Sequence, residues 1–231
     1  NTAISIAAGD DHTCAILTGG GLSCWGSALY GQTSHPTLSQ GTTAVAISSG
    51  GRSSCAILNN GSHICWGANN LGQLGNQGTL PNGRTAISIS SGMSHTCAIL
   101  DNGAIACWGN NGIGQLGVSG SVGTNFFSPV LTASLGNGRT AIGLSTGDDH
   151  TCALLDNGSV SCWGNQEGIA DGTYQHRSTP TMITSFGQNR FVDLPERDID
   201  GDGTLNIFEE VVCPAGKYQN RTLLDTCDDA R

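Results

Sequence analysis

The chain has 231 residues, of which 35 are glycine and only 12% are charged. With 37% hydrophobic residues and a mean hydropathy of −0.10, it is too apolar for intrinsic disorder and should fold around a core. Its formal net charge of −9 leaves too few lysines and arginines for the basic surface that nucleic acid and anionic membranes require. No apolar segment approaches the roughly 20 residues needed to cross a bilayer, so the sequence predicts no membrane span.

A sequence pattern that ends in Cys-Trp-Gly occurs four times. All four tryptophans of the chain hold the same position in this pattern, and insertions fall only between the units. The units lie at residues 3–26, 44–67, 86–109 and 141–164, and their tryptophans are Trp25, Trp66, Trp108 and Trp163. A repeat of this length predicts an array of similar structural units.

Each unit consists of short β segments separated by glycine-containing turns. In the third unit, residues 86–90 alternate with period two, and the next two segments flank Asp101-Asn102-Gly103, which is typical of a tight hairpin turn. That turn places Cys97 opposite Cys107, at a Cα distance that suits a disulfide. The same ten-residue offset in every unit predicts the pairs Cys14–Cys24, Cys55–Cys65, Cys97–Cys107 and Cys152–Cys162.

The alternative for these eight cysteines is a set of reduced, buried thiols. Four repetitions of one cross-strand spacing favour disulfides instead. Because disulfides persist in oxidising compartments, the sequence predicts an extracellular or cell-surface location.

The repeat resembles that of a known family. The pattern G-x-x-H-T-C-A-I/L-L-x-x-G-x-x-x-C-W-G, followed by Gly-Gln-Leu-Gly at residues 72–75 and 114–117, is similar to the regulator of chromosome condensation repeat, in particular its cysteine-bearing secreted or bacterial branch. The resemblance covers about residues 3–192 and implies an all-β, propeller-like array of four disulfide-containing blades, with four strands in each. Familiar members have seven blades, so four units predict a small four-bladed ring or an open arc. A ring completed by a neighbouring chain is the remaining alternative.

We therefore divide the chain into a β-propeller and an acidic C-terminal tail. The propeller spans residues 1–192, with repeats at about 3–43, 44–85, 86–140 and 141–192. The tail spans residues 193–231 and contains a calcium loop and two cysteines.

The tail matches the calcium-loop pattern D-x-[DN]-x-[DN]-G-x₅-E in full. Calcium takes six to eight oxygen ligands, which alternating carboxylates, a backbone carbonyl and a terminal glutamate supply. The loop is EF-hand-like and resembles the extracellular repeats of dockerin and thrombospondin type, which implies a structural Ca²⁺ ion; the alternative is an acidic, solvated turn. The predicted ligands are Asp198, Asp200, Asp202, Thr204 through its carbonyl, Asn206 and Glu209.

Two further features point to an extracellular protein. The segment that begins Cys213-Pro-Ala-Gly resembles a small cysteine-rich extracellular repeat, in which Cys213 with Cys227 is the simplest pairing. Candidate N-glycosylation sequons lie at Asn60, Asn157 and Asn220. The first two fall on predicted hairpin turns, where Asn-Gly is also favoured for backbone reasons alone.

Histidine recurs at one position of the repeat, as His12, His95 and His150. Carboxylates lie beside two of them, so a metal cluster is one interpretation. The second unit lacks the histidine, and this absence favours a structural role, in which the ring bonds a neighbouring loop.

The repeated tryptophan has two interpretations as well. It either fills the space between blades or stacks on a ligand from an exposed position.

No nucleophile elbow, zinc-protease, phosphate-loop or CxxC motif is present, so the sequence predicts no enzyme. It predicts an extracellular, non-enzymatic structural or interaction module for surface display, adhesion or self-assembly into a fibre or sheath. The expected partners are proteins or further copies of the chain, with glycans as another class. The alternative function is a secreted inhibitor or binding protein that grips its partner through blade-top loops. An enzyme acting on cell-wall glycans is the remaining class, whereas nucleotide exchange conflicts with the disulfides and the acidic surface.

Overall fold

The computed structural model describes residues 2–169, 173 and 175–184, together with the backbone of 217–219 and 227–229. The chain forms two units, Asn1–Phe186 and Gly187–Arg231. The predicted calcium ligands, the Cys213–Cys227 pair and the sequon at Asn220 lie outside the residues whose side chains are described.

The first unit consists of four antiparallel sheets in chain order, which we call blades 1 to 4. Blade 1 contains β1 (Ala3–Ala8), β2 (His12–Leu17) and β3 (Leu22–Gly26). Blade 2 contains β4 (Ala44–Ser49), β5 (Ser53–Leu58) and β6 (His63–Gly67). Blade 3 contains β7 (Ala86–Ser91), β8 (His95–Leu100), β9 (Ile105–Gly109) and β10 (Phe126–Leu131). Blade 4 contains β11 (Ala141–Thr146), β12 (His150–Leu155), β13 (Val160–Gly164) and β14 (Arg177–Ile183). The all-β class and the four repeated blades are confirmed.

The blades differ in strand number. In the described residues, blades 1 and 2 have three strands, and blades 3 and 4 have the four that the family resemblance implies. The reason is the length of the connectors, because the long insertion after blade 3 supplies β10, whereas shorter connectors follow blades 1 and 2. The connector after blade 2 folds into turns and a single 3₁₀ turn, Pro81–Gly83.

The only α-helix among the described residues is α1 (Gln166–Ile169), which follows β13. No helix in this part of the chain is long and apolar enough to cross a membrane. In the second unit, the backbone of β15 (Lys217–Gln219) pairs antiparallel with β16 (Cys227–Asp229).

Each blade contains the predicted cross-strand disulfide. The cysteines are directly opposed in the register, and the bonds join Cys14–Cys24, Cys55–Cys65, Cys97–Cys107 and Cys152–Cys162. The hairpin turn therefore aligns the two sulfur atoms, as the ten-residue offset predicts. No free cysteine remains among the described side chains.

The core lies between adjacent blades rather than within them. One side of each blade presents the disulfide and an aliphatic residue such as Ile57; we call it the disulfide face. The other side presents the tryptophan with small and aliphatic residues such as Ala98 and Leu100; we call it the tryptophan face. The disulfide face of each blade packs against the tryptophan face of the next, which forms three apolar clusters. Burial of this surface is the main stabilising contribution to the array.

Backbone hydrogen bonds also join adjacent blades. The amide of Gly51 in blade 2 donates to the carbonyl oxygen of Gly92 in blade 3 at 3.2 Å. A side chain on Gly50 would overlap this same carbonyl oxygen. Glycine at this position therefore permits the close approach of the two blades.

The described residues form an open arc, not a closed ring. Trp66, Trp108 and Trp163 are buried by the blade that precedes each of them, but Trp25 in blade 1 is 50% exposed. At the other end of the arc, Leu154 is 42% exposed, although Ile99 at the same position in blade 3 is buried. Of the arrangements that the sequence predicts, the structure of these residues corresponds to the arc.

Candidate interaction surfaces

A β-bulge recurs in the first strand of every blade. In blade 3, Ala86 pairs with Leu100 and Ser88 pairs with Ile99, which leaves Ile87 as the extra residue. The same irregularity occurs in the other three blades. A bulge bends the strand and re-aims a side chain, so the extra residue no longer follows the alternation of its neighbours.

The bulged residue is a large aliphatic side chain in all four blades, and each is 58–65% exposed. We call this set the bulge row; it consists of Ile4, Val45, Ile87 and Ile142. An exposed apolar side chain at the same position of every blade makes the bulge row a candidate interaction surface.

The bulge row corrects one detail of the sequence analysis. Strict period-two alternation would place Ile87 and Ile89 on the same side of β7. Instead, Ile89 is buried between blades, whereas Ile87 faces solvent. The bulge lies at Ile87 itself, between the Ala86–Leu100 and Ser88–Ile99 pairs, and the sequence of residues 86–89 contains no glycine or proline that would reveal it.

A shallow groove lies between two members of the bulge row, Val45 and Ile87. Its other lining residues come from the β5–β6 hairpin turn and the beginning of blade 3, and none is charged; they are Ile57, Leu58, Asn59, Asn60, Gly61, Thr85 and Ala86. This groove lies on the hairpin-turn side of the blades. It is therefore suited to an uncharged ligand surface that contacts aliphatic side chains and backbone amides.

The sequon at Asn60 lies in this turn. Its side-chain oxygen accepts hydrogen bonds from the Ser62 amide at 3.0 Å and the Ser62 hydroxyl at 2.7 Å. Asn157 makes the equivalent bonds with Ser159 in blade 4. Both asparagines thus have a backbone role in the turn, and both are exposed, so glycosylation stays a prediction.

Two of the three repeated histidines, His12 and His95, have the structural role that the sequence analysis favours. The Nε2 atom of His12 lies 2.7 Å from the Ser54 hydroxyl in blade 2, and that of His95 lies 2.9 Å from the Thr151 hydroxyl in blade 4. Burial lowers the pKa of both rings, in His95 to about 4. The nearby Asp11 opposes this shift in His12. Each neutral ring therefore joins one blade to the next.

A second kind of buried histidine was not singled out from the sequence. His63 occupies the position held by Leu22, Ile105 and Val160 in the other blades, and its ring lies 4.9 Å from that of Trp108. Neither of its nitrogens has a hydrogen-bond partner, and burial lowers its pKa to about 4. The signal that could have revealed it is a histidine at an aliphatic repeat position.

The Gly-Gln-Leu-Gly loop covers the tryptophan of the following blade. The carbonyl of Gln73 accepts hydrogen bonds from the Trp108 indole at 3.0 Å and the Thr96 hydroxyl at 3.1 Å. Gly75 has a φ of +61°, and a Cβ there would approach the indole to 2.9 Å. The second Gly-Gln-Leu-Gly loop, at residues 114–117, lies over Trp163 in the same way, because a Cβ at Gly117 would meet that indole.

The described side chains contain no group of three or more histidine, cysteine or acidic residues that could hold a metal ion. The carboxylates beside the histidines have other partners. Asp11 and Asp149 accept hydrogen bonds from the side chains of Gln32 and Gln115, at 3.2 and 3.1 Å. Among the described residues, the bulge row and its groove remain as the candidate surface for function.

Four disulfide-bonded antiparallel blades in chain order define a protein of the β-propeller type. The regulator of chromosome condensation (RCC1) repeat matches this chain four times, at residues 3–32, 44–73, 86–115 and 141–167. The chain belongs to this repeat family. No curated protein matches it significantly.

Solved structures with the same fold include yeast RCC1 (Prp20), solved with Kap60 bound, with a TM-score of 0.68 and 19% identity. Human WBSCR16 gives a TM-score of 0.71 and 19% identity. The alignments cover 80% and 81% of this chain, but only 49% and 55% of those chains, so this chain spans about half their length. The ectodomain of the receptor kinase CR4 from Physcomitrella patens is 26% identical, with a TM-score of 0.51, over 70% of this chain and 38% of that chain.

Proposed function

We propose that this protein is an extracellular, non-enzymatic interaction module that binds protein partners through the hairpin-turn side of its blades and carries a calcium-stabilised tail. Four disulfides support the extracellular location, because such bonds persist in oxidising compartments. The similarity to a receptor kinase ectodomain agrees with this location. Surface display or adhesion is the role that this combination favours.

The observation that carries the proposal is the bulge row. In each blade, the bulge turns one aliphatic side chain toward solvent. Burying these side chains would stabilise the folded protein, so their exposure at four equivalent positions calls for another explanation. The uncharged groove between Val45 and Ile87 adds backbone and amide groups that bind a partner with directional hydrogen bonds. Protein binding is also recorded for a relative of the same fold, since Prp20p has been studied for its binding to Gsp1p and histones.

A double variant, Val45→Asp with Ile87→Asp, tests this function. The two charges face solvent in the free protein but would be desolvated under a bound partner, so we expect at least about tenfold weaker binding. Full-length protein is immobilised, and the proteins retained from a cell-surface extract of the producing cells are compared between variants. Val122→Asp is the matched control, because Val122 is exposed but lies outside the bulge row. Equal retention by the double variant and the control would contradict the proposed site.

Calcium binding in the tail is a separate prediction. We expect calorimetry to detect one Ca²⁺ site of roughly millimolar affinity. Glu209→Gln should abolish it, because the twelfth position supplies the bidentate ligand, whereas Glu210→Gln should bind normally. Chelation should also increase proteolysis between residues 194 and 213 while the disulfide-bonded blades stay resistant. Absence of binding at millimolar Ca²⁺, or identical proteolysis with and without chelator, would refute the calcium site.

A further inference from the structure

The outer edge of a blade is the side of its third strand that faces away from the second strand. In blades 3 and 4 a fourth strand occupies this edge, β10 beside β9 and β14 beside β13. Each fourth strand contains a proline, Pro129 or Pro180, which lacks the amide that a further strand would need. The outer edges of these two blades are therefore filled and then protected against further pairing.

Blade 2 closes the same edge with one side chain. The side-chain amide of Gln77 takes the place of a strand, because its oxygen accepts from the Cys65 amide and its nitrogen donates to the Cys65 carbonyl, both at 2.8 Å. The backbone amide of Gly78 donates to the carbonyl of His63 at 3.1 Å. The outward-facing backbone groups of β6 therefore have partners within the chain.

Blade 1 leaves this edge unpaired. Cys24 holds the position of Cys65, so its amide and carbonyl also point away from the second strand. Among the described residues, neither group has a hydrogen-bond partner, and the outward carbonyl of Leu22 has none either. Cys24 is partly exposed, whereas Cys107 and Cys162 at the same position are buried. We call this side of β3 the open edge; an unpaired strand edge is a template for a further strand.

Two residues of the connector explain why the edge is open. The connectors of blades 1 and 2 both end in Leu-x-x-Gly-x-Thr, and this alignment places His35 at the position of Gln77 and Pro36 at the position of Gly78. Pro36 has no amide to donate to the β3 carbonyl. The His35 ring lies edge-on to Trp66, with 6.4 Å between the ring centroids. Both groups that close blade 2 are therefore missing in blade 1.

The open edge does not depend on either end of the chain. A preceding blade would cover the tryptophan face of blade 1, whereas Cys24 lies on the disulfide face, which packs toward blade 2. In blades 3 and 4 the fourth strand comes from the chain that follows the third strand. The corresponding connector of blade 1, residues 27–43, is described throughout and forms no strand. Another segment must therefore supply a fourth strand here.

We propose that the open edge binds an extended segment of a partner protein, which adds to blade 1 as a fourth strand. The segment has the chemistry of β10 and β14, in which Ser-Pro or Thr-Pro precedes a β-branched residue, Val130 or Thr181, opposite the second cysteine. In the complex, the amide and carbonyl of that residue pair with Cys24. This interaction goes beyond the proposed function, because the bulge row lies on β1, at the other edge of the sheet.

A shallow groove beside the open edge favours an aliphatic residue in the partner segment. Leu22 and residues 35–38 line the groove together with the glycines of the β2–β3 turn, and none of the lining residues is acidic, lysine or arginine. In blade 4, Ile183 of β14 lies opposite Val160, which holds the position of Leu22. An aliphatic residue two positions after the one opposite Cys24 would therefore lie beside this groove.

Peptide binding to the full-length protein tests the proposal. The probe is a fluorescent peptide with the sequence of residues 176–184, which contains β14. We expect it to bind and to slow hydrogen exchange in residues 22–26. Methylation of the peptide's Thr181 nitrogen should weaken binding at least about tenfold, because this amide would donate to Cys24. No binding up to about 1 mM peptide, or equal binding of the methylated peptide, would overturn the proposal.

Two variants assign the binding to blade 1. His35→Gln combined with Pro36→Gly copies the groups that close blade 2 and should weaken peptide binding at least about tenfold. The matched control, Val45→Asp with Ile87→Asp, alters the bulge row and should bind the peptide as wild type does. Failure of this inference is thus distinguishable from failure of the proposed function. Unchanged peptide binding by the His35→Gln, Pro36→Gly variant would exclude the open edge as the site.

Discussion

Replacing Trp108 by alanine should lower the free energy of unfolding by about 3–5 kcal/mol. The indole is fully buried between blades 2 and 3, donates to the carbonyl of Gln73 at 3.0 Å and contacts the ring of His63. Its removal would leave a cavity in the cluster that joins the two blades and would leave the Gln73 carbonyl with one donor fewer. Urea unfolding at neutral pH measures the effect.

Trp25→Ala is the matched control, because it deletes the same side chain at the same repeat position. Trp25 is half exposed and has no preceding blade in the arc, so we expect a loss well below that of Trp108→Ala. Both variants are measured at the same protein concentration. Equal losses for the two tryptophans would show that burial between blades is not what makes Trp108 stabilising.

The blades could be predicted from the sequence because their determinants are local. A turn at Asp101-Asn102-Gly103 aligns two strands, and this alignment brings Cys97 to Cys107 without any contribution from distant residues. The fourfold repetition turns weak local signals into a specific pattern. The structural role of His12 and His95 could also be predicted, since a histidine missing from one repeat is unsuited to a ring of metal ligands.

The interaction surfaces could not be predicted, for two different reasons. The bulge at Ile87 is a property of the pairing between two strands, and a regular alternation of residues does not reveal it. Trp25 is half exposed because no blade of the described residues packs on it, although its local sequence is the same as that of the buried tryptophans. The sequence of a repeat shows which kind of surface each face of the blade can pack against. It does not show whether a neighbouring blade covers that face.

Acid should destabilise the arc through its buried histidines. His63 has no hydrogen-bond partner between blades 2 and 3, and burial lowers its pKa from 6.5 to about 4. The pKa of His95 is likewise lowered to about 4, by burial and by the nearby His150. A proton on His63 would place an unpartnered charge against the Trp108 ring, and a proton on His95 would place a charge at a buried contact between blades, so each would cost free energy.

The sign of the effect follows from proton binding in the two states. Between pH 6.5 and 4, the unfolded chain binds a proton at His63 and the folded chain does not, so the free energy of unfolding decreases as the pH falls through this window. Above pH 6.5 both states are neutral at this ring, and the penalty disappears. For His63 alone the loss reaches at most about 3 kcal/mol at pH 4.

His63→Leu isolates this contribution, because leucine is the residue that blade 1 has at the same position, as Leu22. The variant should be at least as stable as wild type at pH 7.5 and should lose clearly less stability between pH 6.5 and 4, with His95 accounting for part of the remainder. Urea midpoints measured along this pH series decide the question: parallel curves for wild type and His63→Leu would assign the acid sensitivity to other groups.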